Sequence, residues 1–216
     1  MLGRHAGHAT NPGPVALGRT WLRACRPRVA WPRRTAAAAE AGAPIGPGER
    51  VLTTTREVSG ALVVATGHAI YHQDGTAGGR SWSRLGWEDV GRVRWDEGSS
   101  ALTLTRLRGS GPPEMALHLA RHAPVVELAS ERVTWTILAD APVLSRGRVC
   151  GRLTARRRPG SGEVRWVFTL LDAAAAGDPA LRSRVSGAIA ALEAELGFRS
   201  GRPAGSDGGW QGPNSA

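Results

Sequence analysis

The chain has 216 residues and a formal net charge of +10, and all 28 of its basic residues are Arg. Without a single Lys it cannot carry a Walker phosphate loop, a Schiff-base amine or a kinase strand lysine. An all-Arg, Ala/Gly/Pro-rich composition is also that of a GC-rich genome, so the positive charge is discounted as a sign of a nucleic-acid partner.

The charge is uneven. Residues 1–48 hold seven Arg and one acid, Glu40, and show no hydrophobic periodicity. They are expected to form a disordered arm that is dispensable for folding. The twin arginine in "PRRTAAAAEAGAP" is followed by too short and too weak an apolar run for an export signal. No stretch approaches the roughly 18 apolar residues of a membrane span. Cys25 and Cys150 are the only cysteines, one in the arm and one in an expected strand, so neither a disulfide framework nor a zinc knuckle is indicated. The expected location is the cytoplasm.

From Glu49 the pattern becomes that of strands. "RVLTTTREV" (50–58), "ALVVATG" (61–67) and "HAIYHQ" (68–73) are extended, with turns at Ser59-Gly60 and at "DGTAGG" (74–79). A strand through Trp82 to Trp87 follows, then the acidic pair Glu88-Asp89. "VGRVRW" (90–95), a loop at Asp96–Ser100, "ALTLTRL" (101–107), "GSGPP" and "EMALHL" (114–119) complete seven strands. The period then changes: Val125, Leu128, Ala129, Arg132 and Val133 recur at helical spacing behind Pro124, which suits a first helical turn.

A second unit is expected after residue 138. "GRVCGRLTARR" (147–157) and "EVRWVFTLL" (163–171) flank the turn "RPGSG" and predict a β-hairpin. Asp178-Pro179 predicts a helix N-terminus, with Asp as the cap. Leu181, Val185, Ile189, Leu192 and Leu196 give that helix its apolar face, and Gly197 stops it. Residues 199–216 form a Gly/Ser/Pro tail. The domain plan is therefore 1–48 arm, 49–138 meander domain, 139–198 hairpin plus helix, and 199–216 tail.

Two segments carry a family resemblance. "VVATGHAIYHQ" has a Thr66-Gly67 turn leading into the Ile70-Tyr71 pair; "LGWEDVGRVRWDEGSSALTL" has an aromatic, an acidic turn, a Val-x-x-Val strand and a Leu-x-Leu strand. Residues 49–135 thereby resemble bacterial PH-like and GRAM-like domains, and the remainder through "GDPALRSRV" resembles an actinobacterial protein family. The resemblance implies an α+β fold: an antiparallel seven-strand meander or partly open barrel capped by a helix, followed by a β-hairpin and a C-terminal amphipathic helix. Such folds host many binding roles, so the fold does not supply a function.

Adjacent carboxylates in extended chain point to opposite faces, so Glu88-Asp89 and Asp96-Glu97 read as turn residues, not as an acid–base pair. His68/His72 and His118/His122 have the i, i+4 spacing of a zinc pair, but four strand residues span about 13 Å, too far for one ion. Gly75–Arg80 is Gly-rich but precedes a strand, which disfavours a phosphate cradle. Arg156, Arg157 and Arg158 at the hairpin tip, with Arg152 and Arg165 beside them, form the candidate anion-binding group. The expectation is a non-enzymatic interaction or scaffold protein with an unknown protein partner and no cofactor or metal. The alternative is binding of nucleic acid or an anionic membrane surface through the hairpin and arm; a weaker one is a small hydrolase.

Overall fold

The computed structural model describes residues 42–74, 81–107, 112–120 and 123–197. The greater part of the arm, the Gly-rich 75–80 loop, His122 and the tail lie outside those residues. The described chain is α+β, with antiparallel sheets and two helices.

Strands β1 (Val51–Arg56), β2 (Leu62–Thr66), β3 (Ala69–Asp74) and β4 (Ser81–Gly86) form one four-stranded meander sheet. A one-turn 3₁₀ helix (Trp87–Asp89) leads into β5 (Val90–Asp96), β6 (Ala101–Arg106) and β7 (Glu114–His118), a three-stranded sheet. Helix α1 (Pro124–Thr136) follows. The two sheets do not close into a barrel. Among the described residues a single bridge, Glu57 with Leu119, links them, reinforced by the Val58 N–H to the His118 carbonyl.

The period-two alternation explains the packing. Val63, Ala65, Ile70 and Leu85 face Leu102, Leu104 and Leu117 of the second sheet, and α1 covers them with Val125, Leu128, Ala129 and Val133. Trp87 lies wholly inside this core, its indole N–H donating to the Thr66 carbonyl at 3.0 Å.

The other face of the first sheet is also apolar: Val51, Leu62, Val64, Ala69 and Tyr71 are buried there. Ala43 and Ile45 pack on it. The packed chain therefore begins inside the segment expected to be a disordered arm, and the boundary at 48 moves back to at least Ala43. Two isolated apolar residues among Gly and Pro show no periodicity, because they cover a sheet without forming an element.

The second unit differs from the expected hairpin plus helix. It is a three-stranded sheet in the order β10 (Val164–Leu170), β9 (Arg148–Arg157), β8 (Ile137–Ser145), with helix α2 (Leu181–Leu196) against it. β8 was missed because "ILADAPVLS" mixes weak strand formers with Pro142, which is tolerated on an edge strand. β8 starts at Ile137, immediately after the last residue of α1, so no linker separates the two units and a boundary at 138 cuts a strand.

The α2 cap also shifts. The helix begins at Leu181 with Ala180 as its N-cap. Asp178 instead ties the preceding turn: it accepts from Ser145 Oγ at 2.6 Å and from the Ala180 N–H at 2.9 Å. These bonds, Ser145 first, hold its pKa below the usual carboxylate range. Gly197, left-handed at φ 69°, ends the helix as expected.

Extending an N-terminal deletion from residues 2–41 to residues 2–48 should cost on the order of 1–3 kcal/mol, because it uncovers Leu62, Val64 and Tyr71. Urea denaturation of the two truncated chains measures this; coincident transitions would show that Ala43 and Ile45 do not cover the sheet.

Candidate functional site

Arg152, Arg156 and Arg157 sit on β9, Arg158 just past its end and Arg165 on β10, the two strands in register from Val164 opposite Arg157 to Leu170 opposite Gly151. The hairpin reaches back over the first unit, and each guanidinium meets a partner within the chain.

Arg152 pairs with Asp140 on β8 through Nε and Nη2, and Thr154 Oγ1 donates to the same carboxylate. Arg156 is 5% exposed; its Nη1 donates to Thr136 Oγ1 at 3.1 Å, at the end of α1. Burial pulls its pKa down, and the nearby Asp140 and Asp89 charges only partly oppose this. Arg157 stacks over the Trp135 ring, 4.2 Å from its centroid. Arg158 Nε donates to Glu88 Oε1 at 3.1 Å. Arg165 Nη2 donates to Asp89 Oδ1 at 2.6 Å. The structure thus brings together Arg158 and Arg165, at the 3₁₀ turn, and distributes the other three.

The acidic pair has a role that its sequence setting hid. Glu88 is 3% exposed, and its Oε2 has no hydrogen-bond partner. Its carboxyl group folds back beneath Gly86, where an added Cβ would lie 2.6 Å from Oε2. A side chain at position 86 would displace the Glu88 carboxyl group from this place. The hairpin tip closes over the same corner: a Cβ at Gly160 would come within 2.9 Å of the His68 ring. Asp96, by contrast, accepts from the Ser99 N–H at 2.9 Å and caps its own loop. That bond holds its pKa down.

A second polar cluster went unread in the sequence. Glu49, whose side chain is 6% exposed, accepts from Thr66 Oγ1 at 2.7 Å, Tyr71 Oη at 3.0 Å and Arg84 Nη2 at 3.3 Å. Arg84 Nε also donates to Tyr71 Oη at 3.1 Å. Burial raises the Tyr71 pKa, with the Arg84 hydrogen bond acting against it and Glu49 adding to it. Burial lowers the Arg84 pKa, but the contacts with Tyr71 and Glu49 outweigh it and the net shift is upward. Glu49 is thus held by three donors and ties the chain that follows Ala43–Ile45 to the first sheet. Spacings of 17, 22 and 35 residues leave no local signature of it.

His68 and His72 do not share a site, and the His118/His122 pair lies partly outside the described residues. His68 lies 3.9 Å from Glu49, whereas His72 contacts Glu57 at 3.1 Å and Asp74 at 3.5 Å. Among the described residues no group of three or more His, Cys, Asp or Glu is placed to hold a metal.

A double-mutant cycle of Glu88→Ala and Arg158→Ala should give a coupling energy of about 1–2 kcal/mol, reduced from a fully buried pair because Arg158 is half exposed. Additive losses would mean that the turn and the hairpin do not touch in solution. Arg156→Met should leave stability unchanged or raise it by up to about 2 kcal/mol, since an apolar stem replaces a poorly bonded buried charge. A clear loss in urea denaturation would show that the fields of Asp89 and Asp140 outweigh the burial.

Comparison with known protein families, with curated proteins and with solved structures yielded no match, so what the chain does is read from these contacts alone.

Proposed function

We propose that the chain is a non-enzymatic interaction module: a PH-like meander of four plus three strands capped by α1, with a fused three-stranded sheet and helix that serve as a scaffold. The strand order and the helix that follows it support the PH-like reading. The observation that carries the preference for an interaction role over an anion-binding one is the placement of the hairpin arginines. Arg152, Arg158 and Arg165 face carboxylates of the same chain, Arg157 faces an indole, and Arg156 is buried. A phosphate would have to displace these partners, and at Arg152, Arg158 and Arg165 the displacement would leave a carboxylate uncompensated, Glu88 in a buried setting.

The nucleic-acid reading keeps one supporting feature. Trp135 is partly exposed beneath Arg157, and an aromatic next to a guanidinium can stack a base.

The two readings differ in salt dependence. A phosphate-binding hairpin loses affinity steeply with salt, and each lost Arg contact lowers the slope by about one unit. We expect only weak binding of the full chain to a DNA duplex or to anionic vesicles, abolished by deleting residues 2–41 and unchanged in Arg152→Ala/Arg157→Ala. Tight duplex binding that survives the deletion and is lost in the double variant would replace the interaction reading with the nucleic-acid one.

A further inference from the structure

The turn between β8 and β9 carries a residue that its backbone disfavours. Ser145 and Arg148 pair across it, leaving Arg146 and Gly147 as the two central residues. Both have positive φ, 49° and 79°, which makes this a type I′ hairpin turn. Asn, Asp or Gly is favoured at the first central position, because a Cβ in left-handed backbone crowds the following carbonyl. Arg146 holds it instead, one of two residues other than glycine with positive φ among those described. Its side chain is exposed, and among the described residues neither its guanidinium nor that of exposed Arg148 has an ion-pair or hydrogen-bond partner. The backbone strain is therefore not offset by a side-chain contact within the chain.

Elsewhere in the second unit arginine is used differently. Arg152, Arg158, Arg165 and Arg184 face carboxylates of the same chain, while Arg157 lies on Trp135 and Arg156 is buried. The acids near the turn are already engaged: Asp178 accepts from Ser145 Oγ and the Ala180 N–H, and Asp172 from the Ala174 N–H. Arg146 and Arg148 thus place two charges without a counter-ion at one end of the sheet.

Apolar surface lies directly behind them. Val143, Cys150 and Leu170 belong to the core under α2. Their chain neighbours Leu144, Val149 and Leu171 therefore point to the opposite face. Leu144 is opposite Val149 in the ladder, and the Leu171 N–H bonds to the Cys150 carbonyl at 2.9 Å, so the three lie side by side. Val149 is 50% exposed and Leu171 59% exposed, and exposed Pro142 continues the patch along β8.

We propose that this end of the sheet is the docking surface of the interaction module: Val149 and Leu171 receive aliphatic side chains of an acidic segment of another protein, and Arg146 and Arg148 pair with its carboxylates. The inference rests on the interaction reading above and gives it a place and a partner chemistry.

Charge complementarity calls for an anionic partner, and the patch beside the charges selects among anions. A nucleic acid would need aromatic faces on which to stack its bases, and Leu144, Val149 and Leu171 are aliphatic. A bilayer would need the apolar groups foremost, whereas here the charged turn lies at the tip and the apolar residues behind it. An acidic segment laid along the sheet face meets both. The contact is small, under about 1,200 Å² in total, which places it among transient encounters of micromolar affinity.

Selection of peptides from a random library displayed on phage, with the full chain as bait, tests this. Peptides that combine Asp or Glu with Leu, Ile or Val are expected. A synthetic copy of one, followed by fluorescence anisotropy, should bind in the micromolar range. Leu171→Ser lies beyond the end of β10 and should weaken that binding about tenfold. Arg148→Glu should weaken it by a similar factor and flatten its dependence on salt. Arg146→Asn separates docking from folding. It should raise the Tm by about 2–4 °C, because Asn tolerates left-handed backbone, while weakening the peptide several-fold. Circular dichroism establishes that each variant folds. Absence of acidic peptides from the selected set would overturn the proposal. So would a selected peptide whose affinity all three substitutions leave unchanged, which would move the docking surface elsewhere and leave the interaction reading standing. Binding of the full chain to anionic vesicles that Leu171→Ser abolishes would make the patch a membrane contact instead. The interaction reading itself fails only on tight duplex binding through the hairpin arginines, which none of these results requires.

Discussion

Burial of the Glu88 carboxyl group is the constraint around which the two units are arranged. A carboxylate removed from water at a strand end needs a cation, and the first unit does not provide one at that position. Arg158, seventy residues further along the chain, supplies it, and Arg165 does the same for Asp89. The turn that presents both acids is itself fixed from behind. The Trp87 indole reaches the Thr66 carbonyl, its backbone N–H reaches the His68 carbonyl, and Gly86 leaves the space into which Glu88 folds. The hairpin tip at Gly160 rests on His68, so the same corner receives backbone, ring and charge together.

Arginine suits this arrangement in a way that lysine would not. The hairpin uses one residue type for three geometries: a fork on Asp140, a flat stack on Trp135 and a single charge-assisted bond to a buried Glu88. A planar guanidinium meets all three, whereas an ammonium satisfies only the last. The composition that makes Arg the only strong base thus coincides with a structural use for it. The net charge of the chain overstates what is free on the hairpin.

The first seven strands and α1 were legible because their information is local. β-branched runs alternate with period two, Gly and Ser punctuate them, and Pro124 marks where the period changes. Three things were not legible, each for its own reason. β8 has an edge strand's composition, and its Pro142 and Asp140 weaken the pattern that would reveal it. Ala43 and Ile45 belong to no periodic element, and Glu49 pins the chain that follows them through side chains far along the sequence. Arg156, Arg157, Arg158 and Arg165 looked like a solvent-facing tip because their partners lie on the first unit, and Arg152 because its partner Asp140 lies on the unexpected β8; a charge and its counter-charge seventy residues apart leave no spacing to read. The acidic pair was rightly assigned to a turn, but a turn's residues do not announce what will later rest on them.

The contacts Arg158–Glu88 and Arg165–Asp89 close loops of 70 and 76 residues. That separation gives the molecule an order of events as it is made. At ribosomal rates of about 5–20 residues per second, the 3₁₀ turn leaves the exit tunnel several seconds before its arginine partners are synthesised. The four-stranded sheet and β5–β7 can pair during that interval through hairpins that are short in sequence, and such local contacts form first. Glu88 therefore stays hydrated in the nascent first unit and loses its water only when the hairpin arrives. A chain truncated between α1 and β9 would be left with a carboxylate it has no means of covering. It would be recognisable to quality control by an open corner in an otherwise formed meander.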